Sequence, residues 1–188
     1  MIGSRARRVA GLALVIAFTA LALPAAPAAA VDAEVLPLGS PAPLFESEDP
    51  DGVPFALAEA LKEGPVMLVF WSLFCGSCME ELPIIEQEKP KFEGKVQIFA
   101  VNLDEAPRAR NVKQVAKQKG FTFRMLLNKL EKKAADGSVV KKEFQIDAAY
   151  KIKATPAVYL INRDGTIAYG HFGPLNPEEL AAVVALAK

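Results

Sequence analysis

Residues 65–78 read Pro-Val-Met-Leu-Val-Phe-Trp-Ser-Leu-Phe-Cys-Gly-Ser-Cys, and this stretch decides the fold. Pro65 to Trp71 is a continuous apolar run, the pattern of a strand buried on both faces. A helix is predicted directly after it, starting around Ser77 and carrying Leu82 and Ile85. Cys75 and Cys78 therefore sit at a strand-to-helix junction. Two intervening residues let both sulfurs meet when the second cysteine lies one turn into the helix. The first cysteine then lies at the helix N-terminus, where unpaired N–H groups and the helix dipole favour a thiolate. The thiolate is the nucleophile of disulfide exchange, so Cys75 is expected to attack and Cys78 to resolve the mixed disulfide. An inert buried pair and a zinc site are the competing readings of C-x-x-C. Structural zinc usually needs a second such pair, and the chain has only these 2 cysteines and 1 histidine, His171.

Outward from the junction, Val96 to Val101 is a second buried strand. Ala106 to Lys119 is polar with Val112, Val115 and Ala116 at helical spacing, and Gly120 follows as a stop. Phe121 to Leu127 reads as extended. Ala157 to Ile161 is another strand, Asn162-Arg163-Asp164-Gly165 a hairpin turn, and Thr166 to Phe172 its partner. The last helix has a strong start signal, with Asn176 as cap, Pro177 at the first position and Glu179 three after the cap. Leu180, Val183, Val184 and Leu186 are its expected apolar face. Upstream, residues 31–43 read as a lead-in. Phe45 to Leu61 reads as an N-terminal extension ending in a short helix near Leu57 to Leu61. The first half of this order needs a right-handed parallel crossover and the second half is antiparallel. An α/β fold follows: a mixed central sheet with helices on both faces, in one domain over residues 44–188.

The first thirty residues are read as a signal peptide. Arg5, Arg7 and Arg8 form a basic start, Val9 to Leu23 is an apolar run of 15 residues, and Ala28-Ala29-Ala30 supplies small residues for cleavage. The run is short for a membrane span, and an uncleaved anchor is the alternative. Lys+Arg and Asp+Glu each number 22; loss of the leader's three arginines leaves 19 basic residues and a net charge of −3. That balance excludes the basic excess of a nucleic-acid binder. The chain is thus expected in the periplasm or another extracytoplasmic space, membrane-anchored if the leader stays.

The segment Phe70 to Cys78 resembles the active-site segment of the thioredoxin superfamily, most closely its exported TlpA/ResA-like group. Gly39-Ser40-Pro41-Ala42-Pro43-Leu44-Phe45 is similar to that group's G-x-x-A-P-x-F opening. Trp71 matches its structural tryptophan and Pro83 the proline that kinks its active-site helix. Ala154-Thr155-Pro156-Ala157 resembles the segment that holds a cis proline there, and Gly173 and the Asn162 to Gly165 turn also fit. The resemblance covers about residues 36 to 188 and implies a thioredoxin fold with an N-terminal extension and an insert around 128–144. It implies that the backbone of Thr155, beside a cis Pro156, pairs with an extended target peptide.

Three departures qualify the resemblance. Position 69 is Val, where thioredoxin has a buried aspartate; Glu81 is the candidate substitute as proton acceptor, unless it only faces solvent. The residues between the cysteines are Gly-Ser, with no histidine to stabilise a thiolate, which favours a reductant over an oxidant. The segment from Asn128 to Phe144 carries Lys129, Lys132, Lys133, Lys141 and Lys142, either a solvated insert or a docking surface for an acidic partner. Phe74 is expected to be exposed beside the nucleophile and to pack on target proteins.

The leading expectation is an exported protein-disulfide reductase with no cofactor beyond its own Cys75–Cys78 pair and no metal. Disulfide-bearing exported proteins, apocytochrome c among them, would be its substrates, and a membrane thiol donor of DsbD type its source of electrons. A monomer is expected. The alternatives are a disulfide oxidant or isomerase, and a copper-binding thioredoxin-fold chaperone using Cys75, Cys78 and His171. A peroxidase is a third, although Leu68 and Ser72 leave the peroxiredoxin P-x-x-x-T-x-x-C signature incomplete.

Overall fold

The computed structural model describes residues 35–104, 109–128, 130–133, 139–143 and 145–188, with backbone alone for 130–133 and 139–143. It opens with a hairpin of two short strands, β1 (Glu46–Glu48) and β2 (Pro54–Ala56), followed by α1 (Leu57–Glu63). Next come β3 (Val66–Trp71), α2 (Gly76–Glu88), β4 (Gln97–Asn102), α3 (Ala109–Lys119) and β5 (Arg124–Leu127). A second hairpin, β6 (Leu130–Lys133) with β7 (Val139–Glu143), precedes the one-turn helix α4 (Ile146–Ala149). The chain closes with β8 (Ala157–Ile161), β9 (Ile167–Phe172) and α5 (Pro177–Val184).

Five strands form the central sheet in the order β5-β4-β3-β8-β9. The pairs β3–β4 and β4–β5 are parallel, and β3–β8 and β8–β9 antiparallel, so the sheet is mixed as expected. Strand β3 is central and every one of its residues is buried. Strand alternation divides its side chains between two cores. Met67, Val69 and Trp71 face a core shared with Cys78, Leu82 and Ile85 of α2 and Leu180, Val183 and Val184 of α5. Val66, Leu68 and Phe70 face a second, aromatic-rich core with Phe45, Phe55, Tyr150 and Tyr159.

The final helix starts as predicted: Asn176 Oδ1 accepts from the Glu179 N–H at 2.9 Å, and Glu179 Oε2 accepts from the Asn176 N–H at 2.9 Å. Leu186 is a correction. The helix ends at Val184, and Leu186 is 46% exposed rather than part of the apolar face. The extension is more ordered than its sequence suggested, since β1 and β2 form a hairpin that buries Phe45 and Phe55. The 128–144 insert contains the β6–β7 hairpin, whose Leu130 pairs with Glu143. The lysine side chains singled out there, the leader peptide over 1–30, and the expected helix start at Ala106 lie outside the described residues. Among the described residues no helix is long and apolar enough to cross a membrane.

Candidate active site

The site is assembled at the end of β3 where the chain passes through Ser72, Leu73 and Phe74 into α2. Cys75 is the cap of α2, with extended backbone angles of φ −91° and ψ 104°. Its Sγ accepts a hydrogen bond from the Cys78 N–H at 3.1 Å, one of the amides a helix start leaves unpaired. The Ser77 hydroxyl stands 3.5 Å from the same sulfur. Cys75 and Cys78 are joined as a disulfide with an S–S distance of 2.06 Å. The two sulfurs are not equivalent: Cys75 is half-buried, whereas Cys78 is wholly buried under α2. An incoming thiol or disulfide therefore meets Cys75 first.

Glu81 lies one turn beyond Cys78 and is 1% exposed, which settles the choice between a buried and a solvated carboxyl. It is the one buried carboxyl among the described residues. Its Oε1 accepts from the Leu175 N–H at 2.8 Å, while Oε2 has no hydrogen-bond partner among the described residues. Burial pushes its pKa up to about 7, against the smaller opposing effect of the Leu175 amide. A carboxyl poised there exchanges a proton near neutral pH. Val69, at the place of thioredoxin's aspartate, is an apolar member of the same core.

The remaining predicted residues are also placed. Trp71 is fully buried and its Nε1 has no partner among the described residues. Pro83 lies inside α2 and brings no N–H to the helix ladder. The Thr155–Pro156 peptide bond is cis. Register carries this bond to the end of the sheet where the disulfide lies, because the next residue, Ala157, pairs with Phe70. Thr155 is half-buried and Pro156 buried, with the Pro156 carbonyl accepting from the Gly173 N–H at 2.9 Å. Phe74 is 72% exposed immediately before Cys75, as expected. His171 packs its ring beside Tyr169, centroids 6.2 Å apart, and pairs in register with Val158. Among the described residues no group of three or more His, Cys, Asp or Glu is placed to hold a metal ion.

One part of the site escaped the sequence reading. Asp104, just past β4, accepts at Oδ1 from the Ser72 hydroxyl at 2.9 Å and at Oδ2 from the Leu73 N–H at 2.7 Å. The available signal was Asn102-Leu103-Asp104 at the end of a buried strand parallel to the one that carries the cysteines.

The chain is similar to known proteins over most of its length. The model of the AhpC/TSA family matches residues 38–170. Thiol-disulfide oxidoreductase ResA of Bacillus anthracis is 30% identical over 150 residues, covering 79% of this chain and 78% of that protein. Thioredoxin-like protein YneN of Bacillus subtilis is 27% identical over 143 residues, covering 76% of this chain and 75% of that one. Among solved structures, StoA of Bacillus subtilis superposes with a TM-score of 0.57 at 23% identity, covering 77% of this chain and 98% of that one. A thioredoxin-family thiol:disulfide interchange protein of Chlorobium tepidum reaches a TM-score of 0.62 at 20% identity, covering 79% and 96%. At these identities the structural likeness carries the thioredoxin fold.

Proposed function

The chain belongs to the AhpC/TSA family and is a thiol–disulfide oxidoreductase of the ResA kind, and from that premise we propose that it works as a reductant of disulfides in exported proteins. Its substrates are disulfide-bearing proteins. The observation that carries the direction is the sparse support around Cys75, one amide N–H and one hydroxyl with no cationic group between the cysteines. A thiolate so lightly stabilised makes the oxidised form comparatively favourable, which is the mark of a reducing pair.

In the proposed cycle the reduced Cys75 thiolate attacks one sulfur of a target disulfide. The Cys75–target bond forms, the target S–S bond breaks, and one target thiolate leaves. Glu81 in its carboxylate form takes the proton of Cys78. The Cys78 thiolate then attacks Cys75 Sγ, re-forming the disulfide and releasing the second target thiolate. Phe74 and the Thr155–Pro156 backbone receive the target chain, Phe74 by apolar contact and Thr155 by strand-like pairing. Apocytochrome c is the proposed target and a membrane donor of DsbD type the proposed source of electrons, in an extracytoplasmic space reached through the leader peptide.

The deciding measurement is the reduction potential of the Cys75–Cys78 pair in a dithiol buffer. A value near or below about −250 mV is expected for a reductant, and a value near about −120 mV overturns the direction in favour of an oxidant. Replacement of Cys75 by Ser should abolish insulin reduction, while Cys78→Ser should accumulate the mixed disulfide; retained turnover in Cys75→Ser removes the assigned roles.

A further inference from the structure

The bridge Ser72-Leu73-Phe74 between β3 and α2 decides where Cys75 points and how Phe74 is shown to a target. Such a bridge has three backbone N–H groups to satisfy over residues 73–75 and no ladder to satisfy them. The Leu73 N–H donates to Asp104 Oδ2 at 2.7 Å. The Phe74 N–H donates to Ser72 Oγ at 3.2 Å, and that hydroxyl in turn donates to Asp104 Oδ1 at 2.9 Å. The Cys75 N–H donates to the Ser72 carbonyl at 3.1 Å. Every one of these amides is thus tied to Asp104 directly or through Ser72.

Asp104 is itself held. Asn102, 1% exposed at the end of β4, donates from Nδ2 to Asp104 Oδ2 at 2.9 Å, and its Oδ1 accepts from the Asp104 N–H at 3.1 Å. The Leu103 N–H donates to the Trp71 carbonyl at 2.9 Å, which extends the β3–β4 pairing one step past the strands and sets Asp104 beside Ser72. A rigid parallel strand pair therefore delivers one carboxylate to a bridge that has no regular structure of its own.

We propose that Asp104 is a positioning residue, fixing the 72–74 bridge so that Cys75 meets its target disulfide and Phe74 presents its ring in one orientation. The proposal deepens the reductase reading and rests on Cys75 being the attacking sulfur. Its basis is geometric rather than electrostatic. An amide at position 104 keeps an oxygen for the Leu73 N–H and turns its NH2 to the Ser72 hydroxyl, which is able to accept. Alanine keeps neither.

The test compares Asp104→Ala, Asp104→Asn and Ser72→Ala with the natural chain in insulin reduction, each well below its own melting temperature, with alkylation of the reduced protein by iodoacetamide in parallel. Asp104→Ala is expected to lower kcat/KM by about tenfold or more, since a displaced reacting group costs one to two orders of magnitude. Asp104→Asn is expected to stay within about threefold, and Ser72→Ala to fall between. Adding Ser72→Ala to Asp104→Ala should cost less than Ser72→Ala costs alone, because the hydroxyl has then lost its anchor and keeps only the Phe74 N–H. Full activity in Asp104→Ala with only a lowered melting temperature overturns the proposal. So does an Asp104→Asn variant as slow as Asp104→Ala, which makes charge the cause. If alkylation of the natural protein labels Cys78 before Cys75, the reductase cycle itself fails, a result separable from both.

Discussion

Glu81 and Tyr159 are both buried polar residues, held against opposite faces of one sheet, and the two faces treat them in opposite ways. Tyr159 OH donates to the Tyr150 carbonyl at 3.0 Å and accepts from the Leu36 N–H at 3.1 Å, while Tyr150 OH donates to the Pro43 carbonyl at 3.0 Å. Every phenol of that core has a partner, and burial raises both groups above the ordinary tyrosine value, Tyr150 well above it, so that they stay uncharged. On the redox face Glu81 Oε2 and Trp71 Nε1 have no hydrogen-bond partner among the described residues. An unsatisfied buried polar atom costs about 1–3 kcal/mol. The satisfied face contributes stability and a fixed geometry. The unsatisfied face keeps a carboxyl that burial pushes up to about 7, so that its charge changes near neutral pH.

The contrast is tested hardest at Glu81. Replacement by Gln should slow the resolving step by about 10²-fold at pH 7, the scale of a lost proton acceptor, and remove the matching inflection from the pH–rate profile. Stability should respond with a definite sign. The folded-state pKa of about 7 lies above the unfolded value of 4.5, so between them the unfolded chain binds fewer protons. The contribution of Glu81 to the stability of the oxidised protein is then fully present below pH 4.5, is lost as pH rises from there to about 7, and is flat beyond. The loss amounts to about 3 kcal/mol, and Glu81→Gln should abolish this slope in denaturant titrations across that range. A slope that survives the substitution would assign the titration to another group.

On the other face, an added methyl at Gly170 meets Tyr159 Cε1 at 2.9 Å and Val35 Cβ at 3.1 Å. Gly170→Ala should cost about 2 kcal/mol by denaturant unfolding while the reduction potential stays fixed. Tyr159→Phe should cost somewhat less, about 1.5 kcal/mol, by leaving the Tyr150 carbonyl and the Leu36 amide unpaired. Insulin reduction should be unchanged in both; a shifted potential in either would mean that the two faces are coupled through the sheet. Asn176→Ala gives the smallest effect, about 1 kcal/mol, by opening the capping box of α5.

How much of this was legible depended on the length of the pattern. The seven-residue apolar run of β3, the Asp-Gly turn and the Asn-Pro-x-Glu cap each carry several agreeing signals, and each was placed within a residue or two. The strands β1 and β2 have three residues each and α4 has four, too few for a period to show. Glu81 was ambiguous because a glutamate three residues after Cys78 could lie on a buried or a solvated helix face, and helical phase decides it. Cys78, Glu81, Leu82 and Ile85 are all buried on one face of α2, and Glu80 is exposed. Leu186 failed for the converse reason, since the periodicity continued past a helix that had already ended. Local reading did not find Asp104, because the bridge groups it holds, the Leu73 N–H and the Ser72 hydroxyl, are 31 and 32 residues away in sequence, just past the end of β3.

The N-terminal stretch meets both borders of the sheet. At one border Ser40 and Gly39 exchange backbone hydrogen bonds with Ile167 of β9. At the other, Ser47 Oγ donates to the Leu127 carbonyl, and Arg124 of β5 reaches Asp49, Val53 and Pro54. Open strand edges are templates on which foreign chains assemble. An oxidoreductase of this kind takes disulfide-bearing proteins as its substrates. With those stretches of its borders already taken by its own chain, the domain leaves less open edge on which a substrate chain could assemble as a further strand.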